Sequence, residues 1–178
     1  MLTQIKDLSG NFTVKIALGF LLIFAMAQIQ IPLKPVPITL QSIAAMLLGF
    51  AYRPKEAAIT WATYLVAGFA GLPVFFNFTY GIAKLYGPTS GYLFGMALSS
   101  ILISHFKDKF LKDKRDIFKI ASLIIFGHFI IFSLGVAVLA SQIGFYNAIY
   151  SGFIILIPSG IIKTAILSVL LRLIYEKF

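Results

Sequence analysis

The sequence contains no cysteine, which excludes disulfides, thiolate metal sites and a thiol nucleophile. It also has little charge. Charged residues make up 12% of the chain and hydrophobic residues 60%, too little polar side chain to cover a soluble domain of this length. No G-x-x-x-x-G-K-[ST] loop is present, which excludes nucleotide hydrolysis by the P-loop route. Neither an H-E-x-x-H motif nor a Cys/His cluster occurs, so no metal or other cofactor is expected. The two histidines, His105 and His128, lie too far apart for ligand spacing. The simplest reading of His105 is a structural residue at a helix end. That of His128 is an interhelical hydrogen bond, with a proton relay as the alternative.

What the sequence does contain is a series of long apolar runs. A membrane span needs roughly 20 such residues, and the 178-residue chain reads as a single all-α integral membrane domain of six transmembrane helices. The expected spans are 14–33, 38–51, 57–72, 90–106, 118–142 and 150–173. Only helices or closed barrels satisfy the backbone in hydrocarbon, and these runs are continuous rather than alternating. The formal charge of +9 would suggest nucleic acid in a soluble protein. Here the basic residues sit between apolar runs, which points to orientation in a bilayer and to no nucleic-acid partner.

With six spans both termini share a side. Of the 15 basic residues, all but Lys34, Lys84 and Lys163 fall on that side: Lys6, Lys15, Arg53, Lys55, Lys107, Lys109, Lys112, Lys114, Arg115, Lys119, Arg172 and Lys177. By the positive-inside rule both termini are expected to be cytoplasmic, in a multi-pass protein of the cell membrane. Lys6, the apolar run after it and Ala25-Met26-Ala27 have the look of a secretory signal with its cleavage site. The run stays apolar to Leu33, however, which suits a retained span better.

Three features carry function. Lys163 lies inside the sixth span, where an ammonium group needs a partner or a polar cavity. Snorkelling to an interface is the plainer alternative. Its neighbours within a turn are Ser159, Gly160, Thr164 and Ala165, and every acidic residue lies in a segment at or beyond a membrane edge. A bound anion is therefore a candidate partner. The second feature is the long connection 73–89, rich in glycine and aromatics; such a segment is either an interfacial loop or a pocket wall. The third is the proline-rich stretch 31–41, a rigid turn that brings Thr39 and Gln41 to a membrane face.

Pro35-Val36-Pro37-Ile38-Thr39-Leu40-Gln41 resembles the P-V-P-I-T-x-Q signature of the BioY family. Gly71-Leu72-Pro73-Val74-Phe75 and Gly87-Pro88-Thr89-Ser90-Gly91-Tyr92 resemble its G-L-P-V-F and G-P-T-G-G-Y motifs, in the same order. The resemblance covers nearly the whole chain. It implies a six-helix, biotin-specific S component of an energy-coupling factor (ECF) transporter, driven by a transmembrane coupling subunit and partner ATPases. The family's last helix typically carries P-x-D-x-x-K, whose acid and lysine help to bind biotin. Here the stretch reads Pro158-Ser159-Gly160-Ile161-Ile162-Lys163, so the lysine matches and glycine replaces the acid. Asn77, Thr79 or Ser159 is expected to supply the missing acceptor.

With the resemblance, the expected substrate-binding residues are Lys163, Asn77, Thr79, Ser159, Gly87, Thr89, Ser90, Gly91, Tyr92 and Gln41. The resemblance also implies docking on the coupling subunit through small residues of the first helix. Ala17 and Ala25 form one such stripe, interrupted by Leu21, and Gly19 and Ala27 form another. The alternatives are the same scaffold binding another vitamin-like carboxylate, or a membrane-embedded enzyme using Lys163 or His128. The enzyme is disfavoured because no acid lies within the spans to act as a second titratable group.

Overall fold

The computed structural model describes residues 11–111 and 116–177; Lys6, Lys112, Lys114 and Arg115 of the charge pattern lie outside them. Helix α1, Phe12–Gln28, starts where the Asn11 side chain accepts from the Thr13 N–H at 3.0 Å, a standard N-cap. It stops at Gln28. Ile29 is extended, and the chain enters a short antiparallel ladder of β1, Gln30–Ile31, and β2, Ile38–Thr39, with Gln30 opposite Thr39. Residues 29–33, read from sequence as the end of the first span, belong to this hairpin and its turn.

Helix α2, Gln41–Ala51, is followed almost at once by α3, Pro54–Phe69. Proline is suited to the first turn, where its missing N–H costs nothing. Glu56 closes that turn by accepting from the Arg53 N–H at 2.8 Å. The connection from 70 to 89 contains two 3₁₀ turns, Phe76–Phe78 and Ile82–Leu85. Helix α4, Ser90–Phe110, and α5, Ile117–Ile143, form the central pair. Gly91 and Gly95 make their close approach possible: a Cβ on Gly91 would overlap the Leu134 carbonyl, and one on Gly95 would lie 2.8 Å from Ile131 Cα.

The last run is helical but interrupted. Gly144, at φ 82°, separates α5 from α6, Phe145–Gly152; a 3₁₀ turn, Ile154–Leu156, then leads into α7, Ile157–Lys177. Counting α6 and α7 as one broken helix, the described residues form 6 helices. Helix α5 and the stretch Phe145–Glu176 are each long and apolar enough to cross a membrane.

The two ends of the bundle differ in character. Lys15 pairs with Glu56 at 3.1 Å, and Lys107 donates to the carbonyls of Phe50 and Tyr52, both at 2.7 Å. These groups surround a polar cleft of about 300 Å³ that also contains Arg53, Asp108 and Tyr175. Helices α2, α4 and α7 all begin at the opposite end, beneath the hairpin and the 70–89 connection. Lys34 and Lys84 are the basic residues in those two connections.

Candidate binding site

At that second end lies a small cavity of about 60 Å³, walled by the hairpin, the first turns of α2 and α4, the middle of α5 and the first turns of α7. Its apolar lining includes Val36, Ile38, Phe76, Leu93, Met96, Ile131, Phe132 and Leu156; its polar lining includes Thr39, Gln41, Ser42, Thr89, Tyr92, His128, Ser159 and Lys163. Apolar walls with a few convergent polar groups are the usual build of a small-molecule site.

Lys163 reaches across the bundle. Its Nζ donates to the Thr39 carbonyl at 2.7 Å and to the Ser42 hydroxyl at 3.0 Å. An ammonium has three protons to donate, so these contacts leave donor capacity toward the cavity. The described ion pairs are Lys15–Glu56, Lys119–Asp116 and Arg172–Glu176; among the described residues none involves Lys163. The snorkelling alternative does not describe this side chain, which bonds to the hairpin and α2 of its own bundle. Gln41, only 2% exposed, donates to the Tyr64 hydroxyl at 3.0 Å, and Tyr64 donates to the Val74 carbonyl at 2.8 Å. The proline-rich stretch is thereby tied to the aromatic connection.

Five of the sequence-selected residues line the cavity: Lys163, Ser159, Gln41, Thr89 and Tyr92. The other five lie outside its walls. Thr79 donates to the Phe76 carbonyl at 2.8 Å and helps to close its own turn. Asn77 occupies left-handed backbone at φ 54° and ψ 38°, a conformation that asparagine tolerates better than most residues. Ser90 caps back onto the Gly87 carbonyl at 2.9 Å, while Gly91 is the contact with α5 described above. Tyr92, besides lining the cavity, donates to the Gly152 carbonyl at 2.8 Å; Gly135 and Gly152 leave the room its ring occupies.

The 70–89 connection is packed against protein. Gln28, which sequence reasoning passed over, organises it. Its Nε2 donates to the Phe75 carbonyl at 3.1 Å and lies 3.4 Å from that of Val74, and its Oε1 accepts from the Phe78 N–H at 3.0 Å. Phe75 fills the space left by Gly68 and lies edge-on to Tyr64, with centroids 5.6 Å apart. Phe76 and, at its end, Thr89 are the residues of this connection that reach the cavity. Nothing in the sequence singles out Gln28, a lone glutamine at a helix end. His128 also lines the cavity, its Nδ1 3.1 Å from the Ile124 carbonyl. His105 is exposed and stacks edge-on against Phe106. On α1, Ala17 and Ala25 face outward, while Gly19 and Ala27 are buried; a Cβ on Gly19 would lie 2.8 Å from Thr60 Cγ2.

A helical bundle with long apolar spans and a half-buried lysine facing a small, mostly apolar cavity has the build of a membrane protein that binds a small molecule. The BioY family model matches residues 2–178, and the chain belongs to the BioY family, a family of membrane transporters. It is 41% identical over 157 residues to the probable biotin transporter BioY of Rickettsia prowazekii (strain Madrid E), covering 88% of this chain and 79% of that protein. It is 37% identical over 161 residues to the biotin transporter BioY of Thermotoga maritima, covering 89% and 88%. The fold is similar to the crystal structure of an S-component for biotin from an ECF-type ABC transporter. The TM-score is 0.77 at 24% identity, over 99% of this chain and 94% of that one. The six-helix fold and the family both agree with the sequence reading.

Proposed function

We propose that this chain is the biotin-binding subunit of an ECF-type uptake system in the cytoplasmic membrane, crossing it several times with both termini in the cytoplasm. The observation that carries the reading is Lys163: a cation at the wall of a small, mostly apolar cavity, held by Thr39 and Ser42, with no described carboxylate beside it. It supports a ligand with a carboxylate or a polarised carbonyl, and biotin has both. The family and the names of the relatives support biotin among such compounds.

Ligand pockets usually enclose roughly 300–1,000 Å³, so biotin enters only if the walls move apart. The hairpin and the turn carrying Phe76 are the walls that come from connections rather than from packed helices. Uptake energy comes from partner ATPases through a membrane coupling subunit, since the chain has no nucleotide motif of its own. On α1 the docking stripe is Ala17 and Ala25 with Leu21, the face turned away from the bundle; Gly19 and Ala27 serve internal packing.

Binding of labelled biotin by the purified protein tests the reading. Lys163→Met removes a charged hydrogen-bond donor and is expected to weaken binding between about tenfold and about a hundredfold, from the usual worth of such bonds. Absence of binding by the unaltered protein would sink it.

A further inference from the structure

We propose that His128 Nε2 accepts a hydrogen bond from a ligand N–H in this cavity, so that an imidazole supplies the acceptor that Gly160 cannot. The inference rests on the biotin reading, because biotin's cyclic urea presents N–H groups beside a carbonyl.

The protonation pattern of the ring follows from its neighbours. Nδ1 lies 3.1 Å from the Ile124 carbonyl oxygen, which can only accept. The Thr164 hydroxyl lies 3.4 Å from Nδ1 and gives its own proton to the Gly160 carbonyl at 2.8 Å, so it too faces Nδ1 as an acceptor. Nδ1 therefore carries the hydrogen, and in the neutral ring Nε2 is a bare lone pair.

Three buried side-chain polar atoms lack a hydrogen-bond partner among the described residues: Trp61 Nε1, Ser100 Oγ and His128 Nε2. Of these residues only His128 lines the cavity. The histidine is 8% exposed, and a buried acceptor left without a donor costs free energy until something donates to it. Lys163, on the same cavity wall, can only donate. The two residues together accept from and donate to a ligand, which is the demand of a cyclic urea.

Gly160 leaves space beside the imidazole. A Cβ at this position would lie 3.7 Å from His128 Cδ2 and 3.6 Å from the Phe132 ring. Those are ordinary contacts, so a Cβ fits there beside the ring without displacing anything. With glycine nothing from position 160 stands beside that edge of the ring, and Nε2 is buried without a partner among the described residues. A carboxylate at position 160 and the imidazole at 128 are thus two ways of placing an acceptor in one region.

The test uses the two histidines of the chain, which make imidazole ¹⁵N spectra of the labelled full-length protein simple to assign, with exposed His105 as the internal reference. The expected result is a His128 Nε2 without a proton in the free protein, whose resonance moves on addition of biotin while that of His105 stays. His128→Ala is expected to weaken biotin binding about tenfold or more, and Gly160→Asp added to that variant to recover most of the loss. A protonated Nε2 in the free protein, a His128 resonance unmoved at saturating biotin, or unchanged affinity in His128→Ala overturns the inference while leaving the biotin reading intact. If the unaltered protein binds no biotin, both fall together.

Discussion

Lys163 is held at the cavity by two oxygen atoms from outside its own helix, the Thr39 carbonyl and the Ser42 hydroxyl. A cation in a low-dielectric wall stays there only if its protons have acceptors, and the hairpin provides one because β2 ends where α2 begins. Tyr92 acts at the same scale with a different emphasis. It is 4% exposed, and its hydroxyl ties α4 to the last carbonyl of α6 beside the break at Phe153. Tyr92→Phe leaves that carbonyl buried and unpaired and is expected to cost about 1–3 kcal/mol. Thermal unfolding of the detergent-solubilised protein checks this, and biotin affinity should fall less than in Lys163→Met. Lys163 and Tyr92 were both legible as residues, one by its charge within an apolar run and the other by its motif. Asn77 and Thr79 were chosen for their chemistry, but their backbone turns them to the service of the loop: Asn77 takes the left-handed conformation and Thr79 closes the turn.

Among the elements, the 70–89 connection shows how an irregular segment is kept in place in an apolar protein. Several of its backbone groups are met by side chains of neighbouring helices. Gln28 from the end of α1 serves both a donor and acceptors there, and Tyr64 from α3 takes the Val74 carbonyl. Gln28→Ala should free the connection at a cost of roughly 1–3 kcal/mol. The expected sign is faster limited proteolysis between 70 and 89 with the helices still intact, and a biotin affinity lowered through Phe76. Unchanged proteolysis would show that Gln28 is not the anchor. The interruption between α6 and α7 was not read from the sequence, because the run from Tyr150 to Leu173 is mostly apolar despite Gly152 and Pro158. The break follows from packing, with Tyr92 donating to Gly152 and the next residue leaving helical geometry at φ −127°.

For the whole molecule, polar groups are sorted by end. Lys15, Arg53, Glu56, Lys107 and Asp108 meet at one end, and the site with its two loops is at the other. The orientation proposed above makes the first end cytoplasmic. With no native cysteine, single cysteines report position directly. Lys34→Cys and Lys84→Cys should react with a membrane-impermeant thiol reagent on intact cells, and Lys55→Cys and Lys109→Cys only after permeabilisation. The reverse pattern would invert the topology.

The sequence by itself determined the solvent and hence the fold class: so many apolar residues in long runs can satisfy their backbone in a bilayer only as helices. Its charge pattern also separated the two ends, and the lone lysine within a span marked the site. Tertiary structure alone decided which groups share the cavity. Lys163 and Thr39 are 124 positions apart, and Thr164 and His128 are 36 apart, so no local spacing relates them. The same holds for the acceptor. Residue 160 is recognisable as a glycine in an acid's place, but that His128 lies against it, with one nitrogen bonded and the other free, is a property of how α5 packs on α7.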